Sequence, residues 1–451
     1  MKTRLAFFLV LLIPLCAAAA PALPALAAGP LVGYSEMREV VLWVQTNGPA
    51  TVQIAYWPKD QPALRQLAPA VQTRAKDDDT ATFIADHVTP GTRYEYQVLL
   101  NGQPLIYPYI TEFVTLPDWR YQDNPPDFTI AFAAGNSVYD PAVDPPSLEP
   151  EPGTYSIFTA LLSLRPEALV WLGGATWLRE PDWGSRTGYS LRYSHTRALP
   201  ELQPLLGSVH QYAVVGAPDF GPPGSGANLW NLRDAQAAFR RYWPNPSYGV
   251  ARLDGLMTTF RWGDAEFFLL DDRSFRHLGD DNQVERAVFG HDQVAWLLDA
   301  LRQSQATFKI ICSGSPMLNP SDDVTNLAAA PSDREMLLNA LHPGTVPGLL
   351  FLSGGLPYGE LTRLVRPQSY DLYDLTVGPI TARPASSVTD PNFLRVPGSQ
   401  VAARQFATLH FSGPLGQRSV TLSVFDDQGH ITYARTFTAQ QLSTPPTPQV
   451  Q

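Results

Sequence analysis

Six apolar runs, each closing on glycine or a turn, restrict this chain more than any other feature. They are "FTIAFAAGN" (Phe128 to Asn136), "EALVWLGG", "QYAVVGAPD", "AEFFLLDDR", "FKIICSGSP" and "GLLFLSGG". Continuous apolar character, without alternation, marks strands covered on both faces, as in the parallel sheet of an α/β layered fold. Helical runs alternate with them at Tyr155 to Leu164, Leu199 to Leu206 and "HDQVAWLLDALRQS". In the last of these Val294, Leu297, Leu298 and Leu301 fall on one face, which is core packing. Strands that end in Gly-rich loops and feed helices gather any site at the strand ends. Yet the stretch "LLFLSGGLPYGEL" opens onto Gly354, Gly355, Leu356 and Pro357, where an enzyme of this shape would display polar groups.

A chain of 451 residues exceeds one ordinary domain, and the segment before these runs has a different period. Val52, Ile54 and Tyr56 alternate with polar or small neighbours, as do Tyr94, Tyr96 and Val98. Pro90-Gly91 and Asn101-Gly102 are turn dipeptides between such strands. Residues 29–118 therefore read as a small antiparallel β-sandwich of the fibronectin III or immunoglobulin kind. "YQDNPPDF" is a Pro-rich joint, and residues 119–440 form the α/β domain, whose final part returns to alternating strands. The last residues, 441–451, read as a disordered tail.

The net charge of −10 and the lack of a basic patch exclude nucleic acid and anionic membrane surfaces as partners. The N-terminus has Lys2 and Arg4, an apolar run, and then Ala25-Leu26-Ala27 as a cleavage site, so residues 1–28 read as a signal peptide. The mature protein is expected to be exported, periplasmic or extracellular. Cys16 is poorly placed for a lipid anchor, since Ile13-Pro14-Leu15 before it lacks the small residue such processing needs. No later stretch is long and apolar enough to span a bilayer. After cleavage Cys312 stands alone, a small core residue in an apolar strand.

The strand-end loops and the text around them resemble the PhoD-like alkaline phosphatase and phosphodiesterase branch of the calcineurin-like metallophosphoesterases. The resemblance rests on "WLGGATWLREPDW", "YSLRYSHTRALPELQPLL", "YAVVGAPDFGP", "FFLLDDRSFR", "FGHDQVAWLLDALRQSQATFK", "FLSGGLPYGELTRL" and "YDLTVGPIT", in order, over almost the whole mature chain. It implies an α/β/β/α sandwich after the N-terminal β-sandwich, with two metal ions such as iron and calcium held at the strand ends. Such pairs clamp a phosphoryl oxygen and generate a hydroxide, which requires several anionic or imidazole ligands close together.

Each ligand motif of the family has lost its donors here. The first loop should read Gly-Ser-Cys and reads Gly135-Asn136-Ser137. The second should carry a bridging Asp and a Tyr, and has Gly174 and Trp177. The third should read Trp-Asp-Asp-His-Asp and reads Val215-Gly216-Ala217-Pro218-Asp219, so only Asp219 survives. The fourth should read Gly-Asp-Arg-His and reads Gly354-Gly355-Leu356-Pro357-Tyr358. Gly, Ala, Leu and Pro side chains offer no electron pair to a cation and take no proton. No cofactor is expected, and no catalytic or metal-binding residue is assigned.

Other residues could supply polar groups to the vacated site. Arg192, His195 and Arg197, in framework text, either line the old pocket or pack and hydrogen-bond internally. Asp271 and Arg273 end a strand, as a substrate-binding or an internally paired Asp-x-Arg. Asp219 is a surviving acid or the cap of a turn. Trp177, Tyr139, Tyr358 and Trp230 either line a binding cavity or fill the metal volume. The histidines hold no family ligand position and form no i, i+4 pair.

The sequence thus points to an exported pseudo-phosphatase with a binding or structural role, its partner an unidentified protein or small-molecule ligand. Two other readings stand beside it: an active phosphatase or phosphodiesterase with a non-standard ligand set around Asp219, His195 and Asp271, and a cell-surface binding module acting through the β-sandwich. Restoring Gly174→Asp, Gly216→Asp, Pro218→His, Gly355→Asp and Pro357→His is expected to return metal binding if the loops keep the family geometry.

Overall fold

The structure, a computed structural model, describes residues 24–443 apart from 123, 251, 280–284, 324 and 342–345. Two six-stranded sheets make the larger domain. In the first, Phe128–Ala133, Ala168–Leu172 and His210–Val214 run parallel, and Phe406–Ser412, Ser419–Phe425 and Ile431–Thr438 continue it antiparallel. In the second, Ala265–Leu269, Phe308–Ser313, Leu349–Ser353 and Leu372–Thr376 are parallel, with Thr258–Trp262 and Glu360–Leu364 antiparallel at the two edges.

The sheets face each other across an aromatic core, where Tyr212 stacks on Phe260 and Phe267 meets Phe411 edge-on. Helices His291–Gln303 and Pro331–Ala340 cover the second sheet through Val294, Leu297, Leu298, Leu301 and Leu337. Helices Ile157–Ser163, Arg186–Arg197 and Leu232–Tyr242 cover the first through Phe158, Tyr189, Tyr193, Phe239 and Tyr242. This is the α/β layered fold expected from the apolar runs, in the α/β/β/α sandwich form that the resemblance implies. Every residue of Phe308–Ser313 and of Leu349–Ser353 is buried, which is why their text is continuously apolar.

The N-terminal domain is a β-sandwich. Leu26–Ser35, Val40–Thr46 and Thr80–Ala85 form one antiparallel sheet; Thr51–Pro58 and Arg93–Leu100, with four short strands, form the other. Val52, Ile54, Tyr56, Tyr94, Tyr96 and Val98 point into its core, as the alternation requires. Its first strand begins at Leu26, opposite Thr46, ahead of the boundary drawn at residue 29. Small apolar residues suit a cleavage site and a buried strand alike: Ala28 is 2% exposed. Residues 1–23 of the proposed leader lie outside the described residues. At the other end Leu442 is buried and its carbonyl accepts from Gly348 N, so the packed chain runs past the boundary drawn at 440; residues 444–451 lie outside the described residues.

The two domains dock closely. Trp43 of the sandwich packs among the helices of the larger domain and donates its indole N–H to Arg241 O at 2.9 Å. His210 bridges them, with Nδ1 donating to Gly33 O at 2.7 Å and Nε2 accepting from Val114 N at 3.1 Å. Burial lowers its pKa to about 4, so the ring is neutral. Asp78 accepts from Arg186, Ser190 and Arg241 across the same boundary. Among the described residues no helix is long and apolar enough to cross a membrane.

Candidate functional site

The four loops converge where the parallel strands end. Main-chain bonds tie the first to the second: Gly135 N donates to Gly173 O at 3.2 Å, and Asn136 N to Gly174 O at 2.7 Å. Asp219 ties the second to the third. Its Oδ2 accepts from Gly174 N at 2.6 Å and Gly216 N at 2.9 Å, and its Oδ1 accepts from Thr176 N at 2.7 Å. The acid is 1% exposed. Burial pushes its pKa up to about 7, against the downward pull of the three amides and of Arg197. Asp219 is therefore a cap of neighbouring backbone, and both its oxygens are occupied.

Glycine lets these loops touch main chain to main chain. A Cβ on Gly216 would sit 2.7 Å from Gly173 Cα and 2.9 Å from Gly174 N. Gly355 has φ +89°, and a Cβ there would sit 2.6 Å from Gly314 O. In the present frame the glycine positions are packed too tightly to take all five of the restored ligands without a shift of main chain. Aspartate at 216 or 355 has no room.

Above this glycine seam lies a cavity of about 300 Å³. Gly135, Gly174, Trp177, Gly216, Ala217, Pro218, Gly355, Leu356 and Pro357 line it, so the structure brings most of the strand-end motif positions together. Leu178, Trp183, Pro223 and Pro379 complete apolar walls, and Arg273, Arg383, Ser315 and Thr325 are the other polar side chains.

Three positions expected at the pocket turn away from it. Asn136 is fully buried, its amide donating to Ala175 O at 3.1 Å and its carbonyl accepting from Thr381 Oγ1 at 2.9 Å. Ser137 Oγ accepts from Arg179 Nη2 at 2.8 Å. Tyr358 reaches to Asp390 Oδ2 at 2.8 Å.

The polar residues proposed for the pocket are mostly elsewhere. Arg192, 2% exposed, holds Asp144 with both terminal nitrogens at 3.0 and 2.8 Å, and Asp182 through Nε at 2.8 Å. His195 Nε2 donates to Tyr139 O at 2.9 Å. Arg197 is buried in an aromatic box, 4.2 Å from the Trp243 ring centre and 5.2 Å from those of Tyr193 and Tyr242, and burial lowers its pKa to about 10. All three lie on the helix Arg186–Arg197 and face its packing partners. Asp271 caps Leu256 N at 2.8 Å, Arg273 N at 3.0 Å and Ser274 N at 2.9 Å.

Only Arg273 lines the cavity, and its ion pair is with the adjacent Asp272, at 3.0 Å through Nε, not with Asp271. Trp230 is 70% exposed and outside the lining. Trp183 and Arg383 were missed. Trp183 stands in the matching text "WLREPDW", and Arg383 follows "VGPIT" by two residues, so position relative to the framework was the available signal.

The residues present do not fit a dinuclear metal centre. Among the described residues no lining side chain is a carboxylate, imidazole or thiolate. Asp219 lies beneath the floor with three amides on it, and Asp272 is buried against Arg273 and Ser315. Among the described residues no three His, Cys, Asp or Glu side chains gather as metal ligands would. Cys312 is buried, and burial raises its thiol pKa, so it is no thiolate donor.

Comparison with known proteins places this geometry. Residues 226–412 match the family model of PhoD-like phosphatases, and residues 23–116 match a domain of unknown function (DUF7800). No curated protein matches. Among solved structures, PhoD aligns with 93% of this chain and 92% of its own at a TM-score of 0.72 and 13% identity. The purple acid phosphatase PPD1 of yellow lupin (Lupinus luteus) seeds aligns with 95% of this chain and 78% of its own, at a TM-score of 0.65 and 12% identity. At such identities the likeness is one of fold.

Proposed function

We propose that this chain, a PhoD-like metallophosphoesterase by family model and by fold, has lost metal-assisted hydrolysis and serves outside the cytoplasm as a binding protein. One observation carries the reading. The cavity at the strand ends persists, while every lining side chain that would have to donate an electron pair to a metal is Gly, Ala, Leu, Pro or Trp. A water held there would have neither a cation nor a base to activate it. The apolar enclosure supports small-molecule binding, since such cavities of roughly 300–1,000 Å³ with a few polar groups are the usual form of a ligand site. Export rests on the basic, then apolar, then small-residue order of the N-terminus.

The active-enzyme reading requires Asp219, His195 and Asp271 to share a centre. Each is instead engaged by backbone groups of its own surroundings, and none lines the cavity.

The test is metal content of the purified protein before and after incubation with iron, calcium, zinc and manganese salts, alongside turnover of p-nitrophenyl phosphate and its diester. Substoichiometric metal and no hydrolysis are expected. Two bound ions per chain together with turnover would overturn the proposal.

A further inference from the structure

Resting on the binding role just proposed, the cavity's chemistry narrows its ligand. We infer that it takes a monoanion with a flat apolar body, an aromatic carboxylate in kind. Three observations converge.

The walls are aromatic and aliphatic: Trp177, Trp183, Leu178, Leu356 and Pro218 present surface that a ring covers well and a hydrated ion does not.

The polar side chains on this surface mostly donate. Trp183 Nε1 is buried with no hydrogen-bond partner among the described residues, a donor still to be satisfied. Arg383 at the rim is exposed and has no carboxylate partner among the described residues; its one contact is a 3.3 Å bond to Ser147 O. The Ser315 hydroxyl already donates to Asp272. In a chain of net charge −10, a cavity without one lining carboxylate is set up for an acceptor.

The balance of charge selects one negative unit. Arg273 is neutralised by Asp272 through Nε at 3.0 Å and Nη2 at 3.2 Å, which leaves Arg383 as the uncompensated cation of the lining. Inorganic phosphate would bring up to two charges and a tightly held hydration shell to apolar walls with one cation to meet them. A carboxylate on a ring leaves its charge at the rim and puts its body against the indoles.

The experiment is a titration of the full-length protein with 2-naphthoate, its neutral counterpart 2-naphthylmethanol, and inorganic phosphate, followed by calorimetry. Naphthoate should bind one-to-one and at least about tenfold more tightly than the alcohol, as one charge-assisted contact provides. Arg383→Gln, at an exposed position, should remove that advantage while leaving alcohol binding and the melting temperature unchanged. Trp183→Phe should weaken both ring compounds. Equal affinity for acid and alcohol, phosphate binding as tight as naphthoate, or no binding of either ring compound would each overturn the inference. Those outcomes leave the metal and turnover results untouched, so the two proposals fail separately.

Discussion

Gly174 N donates to Asp219 Oδ2 at 2.6 Å, so the acid of the third loop holds the main chain of the second. A metal centre draws lone pairs around a cation; here amide N–H groups are drawn around an anion. Asp219→Ala would leave three buried donors without acceptors, and the cost is expected to be at least about 3 kcal/mol at roughly 1 kcal/mol or more each. Thermal denaturation checks it, with Asp219→Asn recovering part of the loss.

The neutral His210 between the domains makes stability depend on pH. Its folded pKa of about 4 lies below the ordinary 6.5, so its contribution is full above pH 6.5 and is lost as the pH falls through 4. Asp219 acts in the opposite sense, since a folded pKa of about 7 gives stability that is present at low pH and lost as the pH rises toward 7. The two partly cancel in the wild-type profile. The difference between wild type and His210→Gln isolates the histidine, and it should grow by roughly 3 kcal/mol between pH 4 and pH 7 in chemical denaturation.

Gly216→Asp is expected to destabilise and not to bind metal. The new Cβ meets Gly173 Cα at 2.7 Å and Gly174 N at 2.9 Å, both main chain and unable to swing aside. Overpacking of this kind costs ~1–3 kcal/mol or more. The melting temperature should drop, and zinc or manganese should not restore it. Rescue by either ion would mean that the seam opens readily.

Asp78 couples the domains through Arg186 at 2.7 Å and Arg241 at 2.7 Å, with its own side chain 12% exposed. Asp78→Ala should lower stability by about 2 kcal/mol, more than an exposed pair would. A double-mutant cycle with Arg241→Ala should return a coupling of about 1 kcal/mol or more, measured by denaturant unfolding.

The layers and the stripped loops were legible in the sequence because both depend on local text. An apolar run of five or six residues before glycine reports burial on both faces, and a motif without donors stays without donors however it folds. The destinations of Arg192, His195 and Arg197 were not legible. Which face of a helix looks at the cavity depends on partners far away in sequence: Arg192 finds Asp144, 48 residues earlier, and Arg197 finds Trp243 and Trp43. Strand-end text likewise could not say that Arg273 pairs with Asp272 while Asp271 caps backbone, since all three lie in the loop after the strand Ala265–Leu269, where no period fixes the direction of a side chain. Nor does composition report contact between loops. A glycine at 216 offers no ligand on paper; in space it also lies against the main chain of Gly173 and Gly174.

Because Asp219 grips the second and third loops by their peptide groups, the side chains of Trp177 and Ala217 above are spared the duty of tying those two loops together. In a metalloenzyme the same positions are shackled to their ions, and altering one undoes the rest. Here Trp177 and Ala217 take no part in that grip by their side chains, which makes this wall a natural template for installing new recognition by design.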